Sequence, residues 1–233
     1  MYISGMFFNP YYFLFMVPGL IISIWASARV RSTFAKYQHV PTISGLTGAQ
    51  AARRILDSNG LQNVPVLRVG GNLSDNYDPK RNVVNLSDAT YNSASVGAVG
   101  VAAHECGHAV QHAMGYGPAR VRKAIVPLCN FGTSISIPLI VVGFIFSWLG
   151  LVYVGIGLFA LAVLFQLVTL PVEFNASRRA IETLGASNMV TPEENAGVTK
   201  VLSAAAWTYV AALVSAALQL LRLVLLFGRR RRD

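Results

Sequence analysis

The sequence predicts a mostly α-helical membrane protein with three or four transmembrane helices and one small α+β domain. Three observations carry this. Of the 233 residues, 54% are hydrophobic and only 12% are charged, about half the ~25% usual in soluble domains. The missing charge is concentrated: residues 1–28, 125–172 and 201–221 contain no Asp, Glu, Lys or Arg. The 96 residues from Arg29 to Ala124, between the first two gaps, instead carry caps, turn residues and strand-like runs.

A spanning helix needs about 20 apolar residues. The segment 1–28 therefore crosses once, as a transmembrane anchor. It lacks a basic region ahead of its apolar run, and Pro10, Tyr11, Tyr12 and Pro18 suit a retained span with an aromatic interface. The segment 125–172 is long enough to cross twice. It divides near Ser147-Trp148-Leu149-Gly150, which makes a transmembrane helical hairpin. Its first half is interrupted by Asn130, Thr133, Ser134 and Ser136, residues tolerated where they face protein or water. The segment 201–233 supplies either a fourth span or a membrane-packed helix, followed by the basic tail Arg229–Arg232. Arg222 within it points to a helix that is partly facing protein, water or the interface. If 201–227 crosses fully, the tail lies outside; if it lies in the interface, the tail stays inside.

Lys and Arg near the span ends set the orientation. Arg29, Arg31 and Lys36 follow the first span, Arg120, Arg122 and Lys123 precede the hairpin, and Arg178 and Arg179 follow it. All fall on one side, expected to be cytoplasmic. The net charge of +9 reads as membrane-surface electrostatics. No nucleic-acid motif accompanies it, so no nucleic-acid partner is expected. The two cysteines, Cys106 and Cys129, are too few for a disulfide framework and read as small buried residues.

In the 29–124 domain, Thr47 and Gln50 form a capping box ahead of a helix over 49–58 that stops at Gly60. Val64 to Val69 reads as a strand. A turn-rich loop runs from Gly70 to Pro79. Arg81 to Ser87 reads as a second strand, paired with the first as a core hairpin or open to an extended substrate by β-augmentation. A helix starts near Ser93 or Ser95 and ends at Gly115.

That last helix holds VAAHECGHAVQH at 101–112, with three of the chain's four histidines. His104 and His108 are four apart, so both imidazoles share one face about one turn apart and can converge on one ion. Glu105 lies beside the first histidine and can act on a water without being a ligand. This H-E-x-x-H arrangement reads as two zinc ligands and a general base of a zincin-like catalytic domain. Burying these side chains in an apolar helix is costly unless something pairs with them, and a metal does so. His112 lies eight residues past His104, about 12 Å along the axis, too far to share one ion with it. His39 is remote in sequence.

A third ligand must come from elsewhere. Glu173 is one candidate, where a helix is expected to begin near Leu170 as the hairpin re-enters the cytoplasm; two crossings return it to the side of His104 and His108. Its position in a first helical turn is equally explained by the helix dipole. Glu182, Glu193 and Glu194 are rivals. Thr191-Pro192-Glu193-Glu194 reads as a helix start, and Glu182 as an ion-pair partner of Arg178 or Arg179.

Four segments, NYDPK at 76–80, VAAHECGHAVQH at 101–112, LPVEFNASRR at 170–179 and AAAWTYVAA at 204–212, resemble the YugP-like family of bacterial membrane zinc metallopeptidases. The resemblance covers essentially the whole chain. It implies a gluzincin-type neutral zinc peptidase with one zinc ion, His104, His108 and Glu173 as metal ligands, and Glu105 as the catalytic residue. It also implies an integral protein of the bacterial plasma membrane with its site on the cytoplasmic side. Helical residues 173–200 then carry the third ligand. Asn175 departs from the family pattern, where Asp is expected; in related membrane gluzincins an acidic residue after the ligand glutamate orients a ligand histidine. Asn still accepts a hydrogen bond but adds no charge. The expected partners are the lipid bilayer and a peptide or membrane-protein substrate, with a homo-oligomer or larger membrane complex compatible with the same composition. The competing reading is a non-catalytic zinc-binding membrane scaffold, whose structural site would need four protein ligands. A transporter would show a repeated half, and none is present.

Overall fold

The computed structural model describes residues 10–228. Residues 1–9 of the expected anchor and the arginine tail 229–232 lie outside them. In chain order the elements are α1 (Pro10–Tyr37), α2 (Gly48–Ser58), β1 (Val66–Val69), β2 (Asn76–Asp78), β3 (Val83–Ser87), α3 (Asp88–Tyr91), α4 (Val96–Ala113), α5 (Gly117–Ile145), α6 (Leu149–Ala186) and α7 (Pro192–Gly228). The chain is mostly helical. Four of the helices, α1, α5, α6 and α7, are long and apolar enough to cross a membrane. Two compact units emerge: residues 27–120 with 171–207, and, among the described residues, 10–26 with 121–170 and 208–228.

In the first unit, local chemistry places the helices. The Thr47 hydroxyl accepts from the Gln50 N–H while the Gln50 side chain accepts from the Thr47 N–H, so the expected capping box starts α2. Gly60, at φ +73°, follows its end. The Ser95 hydroxyl accepts from the Ala98 N–H and starts α4; Gly115, at φ +63°, follows its last turn. One face of α4, including Val99, Ala102, Ala103 and Cys106, is buried in a core shared with Ala52, Ile55 and Leu56 of α2 and Val84 and Leu86 of β3. Cys106 is a free, fully buried thiol whose S–H approaches the Ala52 carbonyl at 3.6 Å.

The sheet differs from the expected hairpin. Its strand order is β1-β3-β2. β1 pairs parallel with β3, and β2 pairs antiparallel on β3's other side with Tyr77 opposite Val84. The strand expected at 81–87 is thus central, with both edges taken, and cannot accept a substrate strand. The outer edges of the sheet belong to β1 and to β2, the latter three residues inside the stretch expected to be only loop. A strand this short shows no alternation, and the turn residues around it mask the signal.

Two further expectations are corrected. No helix begins near Leu170: α6 is continuous from 149 to 186 and carries Pro171 inside it. Glu173 is therefore mid-helix, and the helix-dipole explanation for it falls. Glu182 forms no ion pair among the described residues; Arg179 instead donates to Asn175 Oδ1 at 2.9 Å and approaches the Met114 sulfur at 3.5 Å. Glu194 does start α7 as expected, accepting from the Thr191 N–H at 2.8 Å while its own N–H donates to the Thr191 hydroxyl at 3.2 Å.

In the second unit, small residues let helices approach closely, as is common in membrane bundles. The turn at 146–148 joins α5 to α6, with Ser147 at φ +53° and the Trp148 N–H donating to the Gly143 carbonyl at 2.7 Å. A Cβ on Gly155 would sit 2.8 Å from the Ser136 carbonyl oxygen. The Ser215 hydroxyl of α7 donates to the Gly19 carbonyl of α1 at 3.0 Å. Arg222 is buried, with its guanidinium 4.5 Å from the Tyr12 ring centre and Nη1 3.3 Å from Gln219 Oε1. It faces protein, one of the placements its sequence position suggested.

Candidate metal centre

Two helices of one unit supply the site. α4 carries His104 and His108, and their rings stand edge to face with centres 4.7 Å apart. α6 brings Glu173 against them. Its Oε2 lies 3.3 Å from His104 Nε2 and 3.5 Å from His108 Nε2, and the carboxyl is only 3% exposed. One donor atom from each of the three residues lies within 4.8 Å of the others. Of the sequence candidates, the structure therefore brings together His104, His108 and Glu173. Glu182, Glu193 and Glu194 are not in the group.

The approach that makes this cluster depends on a residue within the motif. A Cβ on Gly107 would lie 2.7 Å from the Ala176 carbonyl oxygen of α6. Only a residue without a side chain lets the two backbones come this close. The glycine between Cys106 and His108 thus sets the spacing between the histidine helix and the glutamate helix.

The outer ring nitrogens are held as well. Ser177 Oγ lies 3.1 Å from His104 Nδ1. Gln111 Oε1 lies 3.0 Å from His108 Nδ1. The Gln111 amide nitrogen donates to the Val172 carbonyl at 2.8 Å and to Asn175 Oδ1 at 3.0 Å. Both amide hydrogens are thereby used, so Gln111 can present only its oxygen to His108. His108 Nδ1 must then carry a hydrogen, which leaves the Nε2 lone pair for a metal. Asn175, at the position where the resemblance implies an acidic residue, accepts from Gln111, which in turn holds His108. Neither Ser177 nor Gln111 was singled out from the sequence. Their spacing was the available signal: Gln111 is one turn past His108, and Ser177 one turn past Glu173.

Glu105 is 9% exposed and lies outside the three-residue group. Its Oε2 accepts from the backbone N–H of Tyr77 at 2.8 Å. In an antiparallel ladder a residue's N–H and C=O point the same way, so the edge of β2 facing away from β3 faces Glu105 at this residue. The Tyr77 phenol donates to Asn82 Oδ1 at 2.7 Å and lies 2.7 Å from His112 Nδ1. Burial, and then the Asp78 charge, push the phenol up to about 12, so it stays protonated at neutral pH.

The donor set fits zinc. Two imidazole nitrogens with one carboxylate oxygen suit Zn2+, whereas Ca2+ and Mg2+ favour all-oxygen sites. Tetrahedral donors about 2.0–2.1 Å from one ion stand about 3.3 Å from each other, close to the 3.3 and 3.5 Å spacings between Glu173 and the histidines. Among the described residues no fourth His, Cys, Asp or Glu joins the group, which matches the three-ligand pattern of catalytic rather than structural zinc.

Comparison with known proteins points the same way. A family described as "Putative neutral zinc metallopeptidase" matches residues 12–228. "Putative membrane protease YugP" of Bacillus subtilis (strain 168) is 48% identical over 216 residues, covering 92% of this chain and 96% of that protein. No solved structure matches. The family match takes in both site helices and all four long apolar ones, so the chain belongs to this family of neutral zinc metallopeptidases.

Proposed function

We propose that this chain is a zincin-like, gluzincin-type peptidase of the bacterial inner membrane. In this reading His104, His108 and Glu173 hold one zinc ion at the cytoplasmic face. Zinc bound there would acidify a water and polarise a peptide carbonyl. The rest falls to the chain. Glu105 takes the proton of the attacking water and passes it to the leaving amine, so the C–N bond breaks without a free amide anion. Gln111 and Ser177 keep the two imidazoles turned so that Nε2 of each faces the ion. The substrate in this reading is an extended peptide segment of a membrane or membrane-proximal protein. The observation that carries this reading is the meeting of three zinc-type donors from two helices, with Glu105 on the same helix as both histidines and bonded to the outer edge of β2.

The test is Glu105→Gln in the full chain, purified in detergent or nanodiscs. Bound zinc should match the wild type, and hydrolysis of casein or a quenched peptide library should fall at least about a hundredfold. Full activity in that variant would overturn the assignment. Zinc binding with no hydrolysis by the wild type would favour a scaffold.

A further inference from the structure

His112 is the one motif histidine with no part in the metal cluster, yet it has a defined contact. It lies seven residues past Glu105 on α4, about 10.5 Å along the axis. Tyr77 of β2 reaches both. Its backbone N–H donates to Glu105 Oε2 at 2.8 Å, and its phenol lies 2.7 Å from His112 Nδ1. The same phenol is 2.7 Å from Asn82 Oδ1, between β2 and β3. An amide oxygen only accepts, so the phenol hydrogen goes to Asn82. His112 Nδ1 must therefore donate to the phenol oxygen. Asn82 sits at φ +53°, a left-handed conformation that Asn tolerates better than most residues. The turn before β3 is thus shaped to deliver its amide to the phenol. One residue spans two turns of α4, with a hydrogen bond at each end.

We propose that Tyr77 and His112 are positioning residues for Glu105: the His112–Tyr77–Asn82 chain anchors β2 across α4, so that the Tyr77 N–H holds one carboxylate oxygen and leaves the other for proton transfer. The inference rests on the reading of Glu105 as general base. A glutamate has three rotatable side-chain bonds, and misplacing a reacting group by a fraction of a bond length is costly in rate. Among the described residues, the hydrogen bond that holds Glu105 comes from the strand.

The experiment uses the full-length, zinc-loaded protein. Tyr77→Phe keeps the ring and removes both phenol hydrogen bonds; His112→Ala removes one. Each should lower kcat about tenfold while leaving bound zinc near wild type. His112→Asn, whose amide nitrogen can stand in for Nδ1, should restore most of the rate. The double variant Tyr77→Phe with His112→Ala should be no worse than the poorer single one, because both remove the same anchor. Independently of activity, hydrogen exchange of the 76–78 segment should quicken about tenfold or more in Glu105→Ala and in His112→Ala. If the wild type hydrolyses no peptide, the peptidase reading fails and the exchange measurement alone decides the anchor. Exchange unchanged by His112→Ala, or wild-type kcat in Tyr77→Phe, overturns the inference.

Discussion

Gln111 shows how one side chain prepares a histidine for metal. It is almost fully buried, and its amide is committed on every side: to His108, to the Val172 carbonyl and to Asn175. Gln111→Ala frees the His108 ring to turn and removes the bonds that tie α4 to the Val172 carbonyl and to Asn175. Zinc affinity should fall about 10–100-fold by chelator competition, and stability by about 1–3 kcal/mol. Ser177→Ala, which removes the hydroxyl bonded to His104, should weaken zinc with a smaller loss of stability. The same neighbourhood sets a pH dependence. Burial pushes His108 down, but the Glu173 hydrogen bond, the charges of Glu105 and Glu173, and the Gln111 bond outweigh it and hold its pKa above 6.5. With a folded value above the unfolded one, metal-free protein has this stabilisation in full below about pH 6.5 and loses it as pH rises through the folded value. Zinc needs the deprotonated nitrogen, so zinc affinity runs the other way and is lost as pH falls through that value. The zinc-induced rise in Tm should shrink as pH falls through that folded value; a constant rise would contradict the coupling. At this scale the meeting of His104 and His108 was legible because i, i+4 spacing puts both on one helix face. Ser177 and Gln111 were not, because a hydrogen-bond partner on another helix depends on a register that one sequence does not display.

At the scale of elements, the close crossing of α4 and α6 brings the glutamate to the histidines. Gly107→Ala puts a methyl where the Ala176 carbonyl oxygen stands, 2.7 Å away, and a backbone atom cannot step aside alone. The helices must part, at a cost of about 1–3 kcal/mol, and Glu173 moves with α6. Reduced zinc occupancy together with a lower Tm is expected. Gly157→Ala is the control on α6, because its added methyl meets open space. Zinc binding unchanged in Gly107→Ala would mean the crossing does not set the site. Helices with strong caps were readable from sequence: Thr47 and Gln50 place α2, and Ser95 and Gly115 bracket α4. The sheet was only half readable. Its two longer strands were recognised, but their parallel pairing was not, because it depends on β2, whose three residues lie among turn-forming neighbours. The continuity of α6 through Pro171 was likewise hidden, since a proline reads as a boundary unless surrounding protein sustains the helix.

For the whole molecule, the cluster constrains how often the chain crosses the bilayer. His108 and Glu173 meet within hydrogen-bonding range of each other, so the chain between them crosses an even number of times. α5 and α6, two helices joined by the short turn at 146–148, are each long and apolar enough to supply one of two crossings. If Lys and Arg at 120–123 and 178–179 mark the cytoplasmic side, as the proposed orientation has it, the turn between the helices should face outward. Intact cells test this with a membrane-impermeant maleimide. Both native thiols are buried and should react slowly. Phe146→Cys, at the exposed turn, should label from outside. Asn63→Cys, exposed in the 27–120 part of the other unit, should label only after lysis. If both label from the same side, α5 and α6 do not form a double crossing, and a cytoplasmic peptidase facing the membrane surface is the wrong description. If Asn63→Cys alone labels from outside, the crossings stand but the orientation inverts, and the substrates must be sought on the other face of the membrane.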